Sequence, residues 1–286
     1  MTTGTIYGMV TVKSSSKYTV VALQTFLKHT KLGPNDQFVL IDNDGDWINN
    51  WNNGLVRTED IIVNDSPKNT SQNINQIIKL AEQNKQAAVF LSNDVIFTPN
   101  WNTRFIQNEN VLSIPACNQT HNYGFPSSLG LEEFNNRYGL LNSVAHTHHV
   151  YEPKPFSKML MPIYVCRIPY NIYSSVGLLD EDFNVGGEDV DYRIRLLSQG
   201  FDIKYCSSYL LHFDGRSSWN GAETITQTIE RNHSYMSKFK EKWGDDLFNL
   251  CITTGNSILT IQKYSLHQLI KAGMFNIAIK KVLENA

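Results

Sequence analysis

The 286-residue chain has only four cysteines, Cys117, Cys166, Cys206 and Cys251, and no two of them form a CxxC pair. Zinc ribbons and disulfide frames need closely spaced cysteines, so these four read as reduced core residues. An excess of one charge is also missing. The 25 Lys and Arg stand against 27 Asp and Glu, for a net charge of -2 and an isoelectric point near 6.4. No bulk field therefore draws the protein to nucleic acid or to an acidic membrane. No apolar run approaches the ~18 residues of a membrane span, and no basic segment precedes an apolar one at the polar N-terminus. The expectation is a protein without a transmembrane segment, made and kept in the cytoplasm. Neither GxGxxG nor GxxxxGK[ST] occurs, so the usual dinucleotide and P-loop fingerprints are absent.

What is present is an alternation of strand and helix patterns. Thr5 to Val12 is β-rich and predicts a first strand. Ser14, Ser15 and Ser16 then offer N-cap oxygens. Val20, Leu23 and Leu27 recur at helical spacing, and Gly33-Pro34 is expected to stop that helix. Gln37 to Ile41, Asp60 to Val63 and Ala87 to Leu91 read as buried strands, with Ile74, Ile77, Ile78 and Ala81 striping a helix between the last two. Such alternation implies a mostly parallel sheet covered on both faces. Residues 110 to 160, rich in Asn, His, Pro and Gly, read as a long irregular excursion. Beyond it come a strand over Met161 to Ile168, a helix from Glu188 to Gln199 ended by Gly200, a strand over Phe201 to Cys206, and mainly helix from about Ala222.

Polar residues gather at the strand ends. Asp42, Asn43 and Asp44 follow one strand directly, and Ser92, Asn93 and Asp94 follow another. In open α/β sheets ligands bind just beyond the carboxyl ends of the strands. Two acidic clusters there, with no Gly-rich loop, suggest phosphates held through a cation. The sharpest signal is Val185-Gly186-Gly187-Glu188-Asp189-Val190-Asp191. The glycines let backbone approach a ligand, and the carboxylates open a helix whose dipole favours their ionised forms. An ionised carboxylate facing a cleft can take a proton from an attacking hydroxyl. Asp189 with Arg193, and Asp191 with Arg195, are acid-before-base pairs at i,i+4.

These elements resemble the family-2 glycosyltransferases of GT-A fold. The matching stretches are Val176-Gly177-Leu178-Leu179-Asp180-Glu181-Asp182-Phe183, Gly186-Gly187-Glu188-Asp189-Val190-Asp191, His212-Phe213-Asp214-Gly215 and Lys242-Trp243-Gly244, with Ser92-Asn93-Asp94 where the family carries Asp-X-Asp. The resemblance covers most of residues 5 to 245. It implies a Rossmann-like mixed sheet, mostly parallel, with helices on both faces and a helical C-terminal extension. The catalytic domain would span residues 1–220, with a donor half of about 1–105 and an acceptor half of about 106–220, and the extension would span 221–286.

The same resemblance implies roles. Asp94 and His212 would hold Mn²⁺, or Mg²⁺, on the diphosphate of a nucleoside-diphosphate sugar, with UDP-sugar as the expected donor. Thr11, Asp42, Asn43, Asp44 and Asn93 would contact the donor's base and ribose. Asp189 would be the catalytic base of a single inverting displacement, with Glu188 on the acceptor. Trp219, shortly after His212, is read from its position as a contact to acceptor or donor. Only the last acid of Asp-X-Asp is present. Asn43 replaces the acid that many members carry at the base-binding position.

Several readings stay open at the level of sequence. A glycan acceptor is favoured, and a hydroxymethylated base in DNA is the alternative, which the mild acidity disfavours. A non-catalytic nucleotide-sugar-binding module would be expected to lose the metal and base positions, and Asp94, Asp189 and His212 are all present. His121, His146, His148 and His149 lie in the irregular excursion and read as a solvated or acceptor-facing loop. Trp47, Trp51 and Trp101 read as packing residues. The segment Ser265 to Leu283 interleaves apolar residues with Lys271, Lys280 and Lys281. It suits docking on the catalytic domain, a homo-oligomer contact, or peripheral contact with a membrane surface.

Overall fold

The computed structural model describes residues 4–117, 164–183, 186–212 and 225–248. Trp219, the four histidines of the excursion and the segment 265–283 lie outside these residues.

The strands are β1 (Thr5–Thr11), β2 (Gln37–Asp42), β3 (Ile61–Val63), β4 (Ala87–Leu91), β5 (Val95–Ile96), β6 (Val111–Cys117), β7 (Val165–Ile168) and β8 (Asp202–His212). They form one sheet in the order β3-β2-β1-β4-β7-β6-β8-β5. The pairs β1–β2, β1–β4, β2–β3 and β6–β8 are parallel, while β4–β7, β6–β7 and β5–β8 are antiparallel. The helices are α1 (Ser16–His29), α2 (Thr70–Glu82), α3 (Tyr170–Val176), α4 (Glu188–Ser198) and α5 (Ile225–Phe248). The sheet is thus mixed and mostly parallel, of the Rossmann-like kind.

Adjacent residues of β1 show how both faces are covered. Side chains of a strand alternate between faces. The Tyr7 ring meets Phe26 of α1 edge-on at 6.0 Å. Its neighbour Gly8 faces α2 so closely that a Cβ there would lie 2.3 Å from Ile77. Helices α1 and α2 therefore pack on opposite faces. On the α1 side an aromatic group of Phe26, Phe97 and Trp101 fills the core, with Phe97 and Trp101 centroids 4.7 Å apart. Trp47 is buried as well, as expected for packing residues.

Helix α2 opens with a reciprocal cap. The Asn69 side chain accepts from the Gln72 amide at 2.8 Å, and Gln72 Oε1 accepts from the Asn69 amide at 3.0 Å. Within α2 the buried Asn75 binds the Leu179 backbone in both directions, at 3.0 and 2.8 Å. Those two bonds fasten the segment that leads into α4.

Four expectations are corrected. Helix α1 ends at His29, before Gly33-Pro34, because its C-terminal Thr30 turns extended while its amide still reaches Phe26. The serine run does not cap α1 through a side chain. Ser15 Oγ instead donates to the Val12 carbonyl at 2.9 Å within a 3₁₀ turn. The irregular excursion starts later than residue 110, since Val111–Cys117 is a strand buried between β7 and β8. A strand buried on both faces shows no period-2 alternation, and Pro115 masks it further. Strand β8 also runs on to His212, well beyond Cys206. The two cysteines resolved as to burial, Cys166 and Cys206, are free and buried.

Candidate active site

The carboxyl ends of β1, β2 and β4 lie side by side, since Thr11 registers with Asp42 and Met9 with Leu91. The first group of candidate residues is built there, and it is tightly bonded to itself. Thr11 Oγ1 meets Thr19 Oγ1 at 2.8 Å, and Asn93 Nδ2 donates to both Thr19 Oγ1 and Ser15 Oγ at 2.8 and 2.7 Å. Asn93 thereby ties the end of β4 to the start of α1. Asn43 is engaged in the same way. Its oxygen accepts from the Lys68 amide and from Asn64 Nδ2, at 2.9 and 2.7 Å, and its Nδ2 donates to the Lys68 carbonyl at 3.0 Å. Asn43 therefore clips the loop 64–69 onto the end of β2.

Asp42 is fully buried. One of its oxygens accepts from the Ile48 amide at 2.9 Å, and Oδ1 has no hydrogen-bond partner among the described residues. Asp44 is exposed and accepts from the Lys13 and Asp46 amides, at 2.8 and 3.3 Å. Thr11, Asn43 and Asn93 thus brace the strand ends, while Asp42 and Asp44 keep acceptor capacity.

The second group is Asp94 with His212. They are 118 residues apart in the chain, yet His212 Nε2 and Asp94 Oδ1 lie 3.1 Å apart. Short strand β5 explains this, because Val95, next to Asp94, registers with His212 at the end of β8. Both side chains are buried, Asp94 to 1% exposure and His212 to 9%. Ser92 Oγ adds a 2.5 Å bond to Asp94 Oδ1. The Tyr164 ring stacks on the imidazole, with centroids 5.2 Å apart and planes 22° apart, and its hydroxyl donates to the Pro115 carbonyl. Sequence reading missed Tyr164, which lies beside the irregular excursion and carries no motif.

One carboxylate oxygen and one imidazole nitrogen suit Mn²⁺ or Mg²⁺, which leave their other positions to phosphate oxygens and water. Among the described residues no group of three His, Cys, Asp or Glu side chains converges as a closed metal cage. The pair fits an ion completed by its substrate rather than a structural site.

The third group opens α4. Gly186 and Gly187 have φ of 98° and 84°, in the region that side-chain-bearing residues rarely adopt. Space demands glycine too, since a Cβ on Gly186 would lie 2.8 Å from the Tyr235 ring of α5. Behind this turn the two carboxylates differ. Asp189 pairs with Arg193, Nη2 to Oδ2 at 3.1 Å, as its spacing predicts. Glu188 Oε2 is shielded from solvent and has no hydrogen-bond partner among the described residues. Burial first, and the charge of Asp189 second, push the Glu188 carboxyl up to about 7. Asp191 is fully buried and receives Arg195 Nε at 3.0 Å, Lys242 Nζ at 2.8 Å and Trp243 Nε1 at 2.9 Å. Lys242 also reaches Asp180 at 2.6 Å, and Arg195 donates to the Val176 and Leu178 carbonyls. The Asp180–Phe183 segment, the Gly-Gly turn and α4 are thus bound to α5. Tyr235 and Lys242 act on the site from a helix that sequence reading treated as an appendage.

No family model and no curated protein matches the chain. Among solved structures, the mannosyltransferase PcManGT from Pyrobaculum calidifontis, in complex with GDP-Man and Mn²⁺, is 10% identical, with 98% of this chain and 87% of that one covered and a TM-score of 0.49. TarS of S. aureus is 12% identical, with 97% of this chain and 50% of that one covered and a TM-score of 0.49. The chain spans half of TarS. Likeness at this level leaves the function to be argued from the chain's own residues.

Proposed function

We propose that the protein is a metal-dependent glycosyltransferase that moves a sugar from a nucleoside-diphosphate sugar, UDP-linked, to a hydroxyl of a saccharide acceptor with inversion at the anomeric carbon. The observation that carries this reading is the meeting of Asp94 and His212, two buried potential ligands from distant parts of the chain, at the strand ends. The Gly-Gly-Glu-Asp turn on neighbouring α4 supports it by supplying carboxylates for an acceptor.

Asp94 and His212 would hold the cation, held in orientation by Ser92 and Tyr164. The cation, when bound, supplies positive charge that stabilises the departing diphosphate. Asp42 and Asp44 offer oxygens to ribose hydroxyls and base at the ends of β2. Thr11, Asn43 and Asn93 hold those ends and the 64–69 loop in place. A carboxylate of the Glu188–Asp189 pair takes the proton of the attacking hydroxyl, a role that the family resemblance implies for Asp189. Inversion follows if that hydroxyl attacks from the side opposite the diphosphate in one step. Trp219 remains the proposed acceptor contact beyond the described residues.

The test is thermal unfolding with UDP, GDP and their sugars, each with and without Mn²⁺. A ligand of the native state raises the midpoint by mass action. One nucleotide should shift the midpoint only when Mn²⁺ is present, and His212→Ala should lose at least the ~10-fold in that affinity that removing even an outer partner of a metal ligand costs. No shift with any nucleotide would overturn the reading, and a shift in His212→Ala equal to that of the wild type would remove His212 from the metal site.

A further inference from the structure

We propose that Asp94 and His212 do not hold the cation alone: Ser92 adds a neutral third contact, and the cation binds tightly only together with the diphosphate of the nucleotide. The proposal deepens the glycosyl-transfer reading and rests on it.

Charge is what the pair is short of. Among the described residues no group of three His, Cys, Asp or Glu side chains converges, so Asp94 is the one acid that the pair brings to a cation. Other acids near the strand ends are engaged elsewhere. Asp42 is fully buried and takes the Ile48 amide at 2.9 Å, Asp44 takes the Lys13 amide at 2.8 Å, and Asp189 pairs with Arg193 at 3.1 Å.

Ser92 stands where a further ligand is needed. Its hydroxyl lies 2.5 Å from Asp94 Oδ1, the same oxygen that meets His212 Nε2 at 3.1 Å. Its amide donates to the Tyr164 carbonyl at 2.8 Å, and the Tyr164 ring stacks on His212 with centroids 5.2 Å apart. One buried residue thus fixes both Ser92 and His212. Ser92 is half-buried, whereas its neighbours Asn93 and Asp94 are buried. A hydroxyl that donates its proton to a carboxylate keeps lone pairs for a cation, but it adds no charge.

The affinity of an oxygen site for a hard cation follows the number of charged ligands, and such ions commonly complete their shell with substrate phosphates and water. One carboxylate, one imidazole and one hydroxyl leave the remaining positions, and most of the balancing charge, to the diphosphate. The coupling is reciprocal: the nucleotide tightens the cation by the factor by which the cation tightens the nucleotide.

The test measures Mn²⁺ binding to the full chain by the electron paramagnetic resonance signal of free Mn²⁺. It is run without nucleotide and with saturating UDP or GDP, each corrected for the Mn²⁺ that the nucleotide holds in buffer. One nucleotide should tighten Mn²⁺ by about 5- to 150-fold. Ser92→Asp is read without nucleotide. Its added carboxylate attracts a divalent ion twice over and repels Asp94 once, so Mn²⁺ affinity should rise at least about 5-fold even at the dielectric constant of water. Ser92→Ala should weaken Mn²⁺ in the presence of the nucleotide, and Ser92→Thr, which keeps the hydroxyl, should not. Wild-type affinity for Mn²⁺ that is equal with and without nucleotide overturns the proposal and leaves the glycosyl-transfer reading standing. A folded Ser92→Asp that binds Mn²⁺ no better than the wild type overturns it as well. If Ser92→Asp does not fold, Ser92→Ala decides, because unchanged affinity there removes Ser92 from the site. If Mn²⁺ does not bind with either nucleotide, the glycosyl-transfer reading falls first, and the third contact with it.

Discussion

Glu188 also leaves a mark on stability that needs no substrate. Its carboxyl is pushed up to about 7 in the folded chain, against ~4.3 in an unfolded one. Between those values the folded state binds the proton more tightly. The stabilising contribution is therefore whole below pH ~4.3 and is lost as pH rises through 7. Glutamine mimics the protonated acid at all pH. Glu188→Gln should match the wild type in urea unfolding at pH 4 and exceed it at pH 8, by about 2 kcal/mol once partial exposure is discounted. A difference independent of pH would show that Glu188 does not titrate in this range. The pair itself was legible in the sequence, because Gly-Gly before Glu-Asp is unusual and the Asp189–Arg193 spacing is a helical one. That Glu188 Oε2 is shielded and has no hydrogen-bond partner among the described residues was not, because it follows from a Gly-Gly turn packed on Tyr235 of a helix some 40 residues further on. Asn43 and Asn93 carry a related lesson. Their positions at strand ends were readable, but not that neighbouring side chains already occupy their amides.

At the scale of elements, α4 and α5 are joined by a buried acid with three donors. Asp191 has no exposed surface and receives Arg195, Lys242 and Trp243. Removing the acid takes a shared buried acceptor from two partly exposed cations and an indole N–H, which costs about 1.5–3 kcal/mol. Asp191→Ala should lower the urea midpoint accordingly. The control is Asp182, 80% exposed, whose 3.2 Å bridge to Lys238 ties the segment before α4 to α5 at the surface. Asp182→Ala should cost no more than about 1 kcal/mol. Equal losses in the two variants would mean that burial does not govern this contact. Most helices and strands β1 to β4 were legible because each carries its own period and stop signals. Strands β5 and β6 were not. One is two residues long and exists through its pairing with β8, and the other is apolar without alternation.

At the scale of the molecule, the sequence resemblance places a boundary near residue 220, yet the contacts cross it. Helix α5 places Phe239 and Leu247 in the core, at 0% and 1% exposure. It sets the Tyr235 ring against the Gly-Gly turn and gives Lys242 and Trp243 to Asp191. A chain of residues 1–220 would expose the apolar surface that these residues cover and would leave Arg195 as the lone partner of a buried carboxylate. Burying two large apolar side chains is worth about 3–6 kcal/mol, and marginal stability leaves about 5–15 kcal/mol in a whole domain. The truncated chain should therefore unfold at a much lower temperature than the full one, with weakened near-UV circular dichroism, if it folds at all. Should it instead unfold cooperatively at the full chain's midpoint, residues 221–286 would be a separable extension and α5 a docked appendage. The expected loss makes α5 part of the catalytic fold, in keeping with a candidate site whose Gly-Gly turn is shaped from that helix.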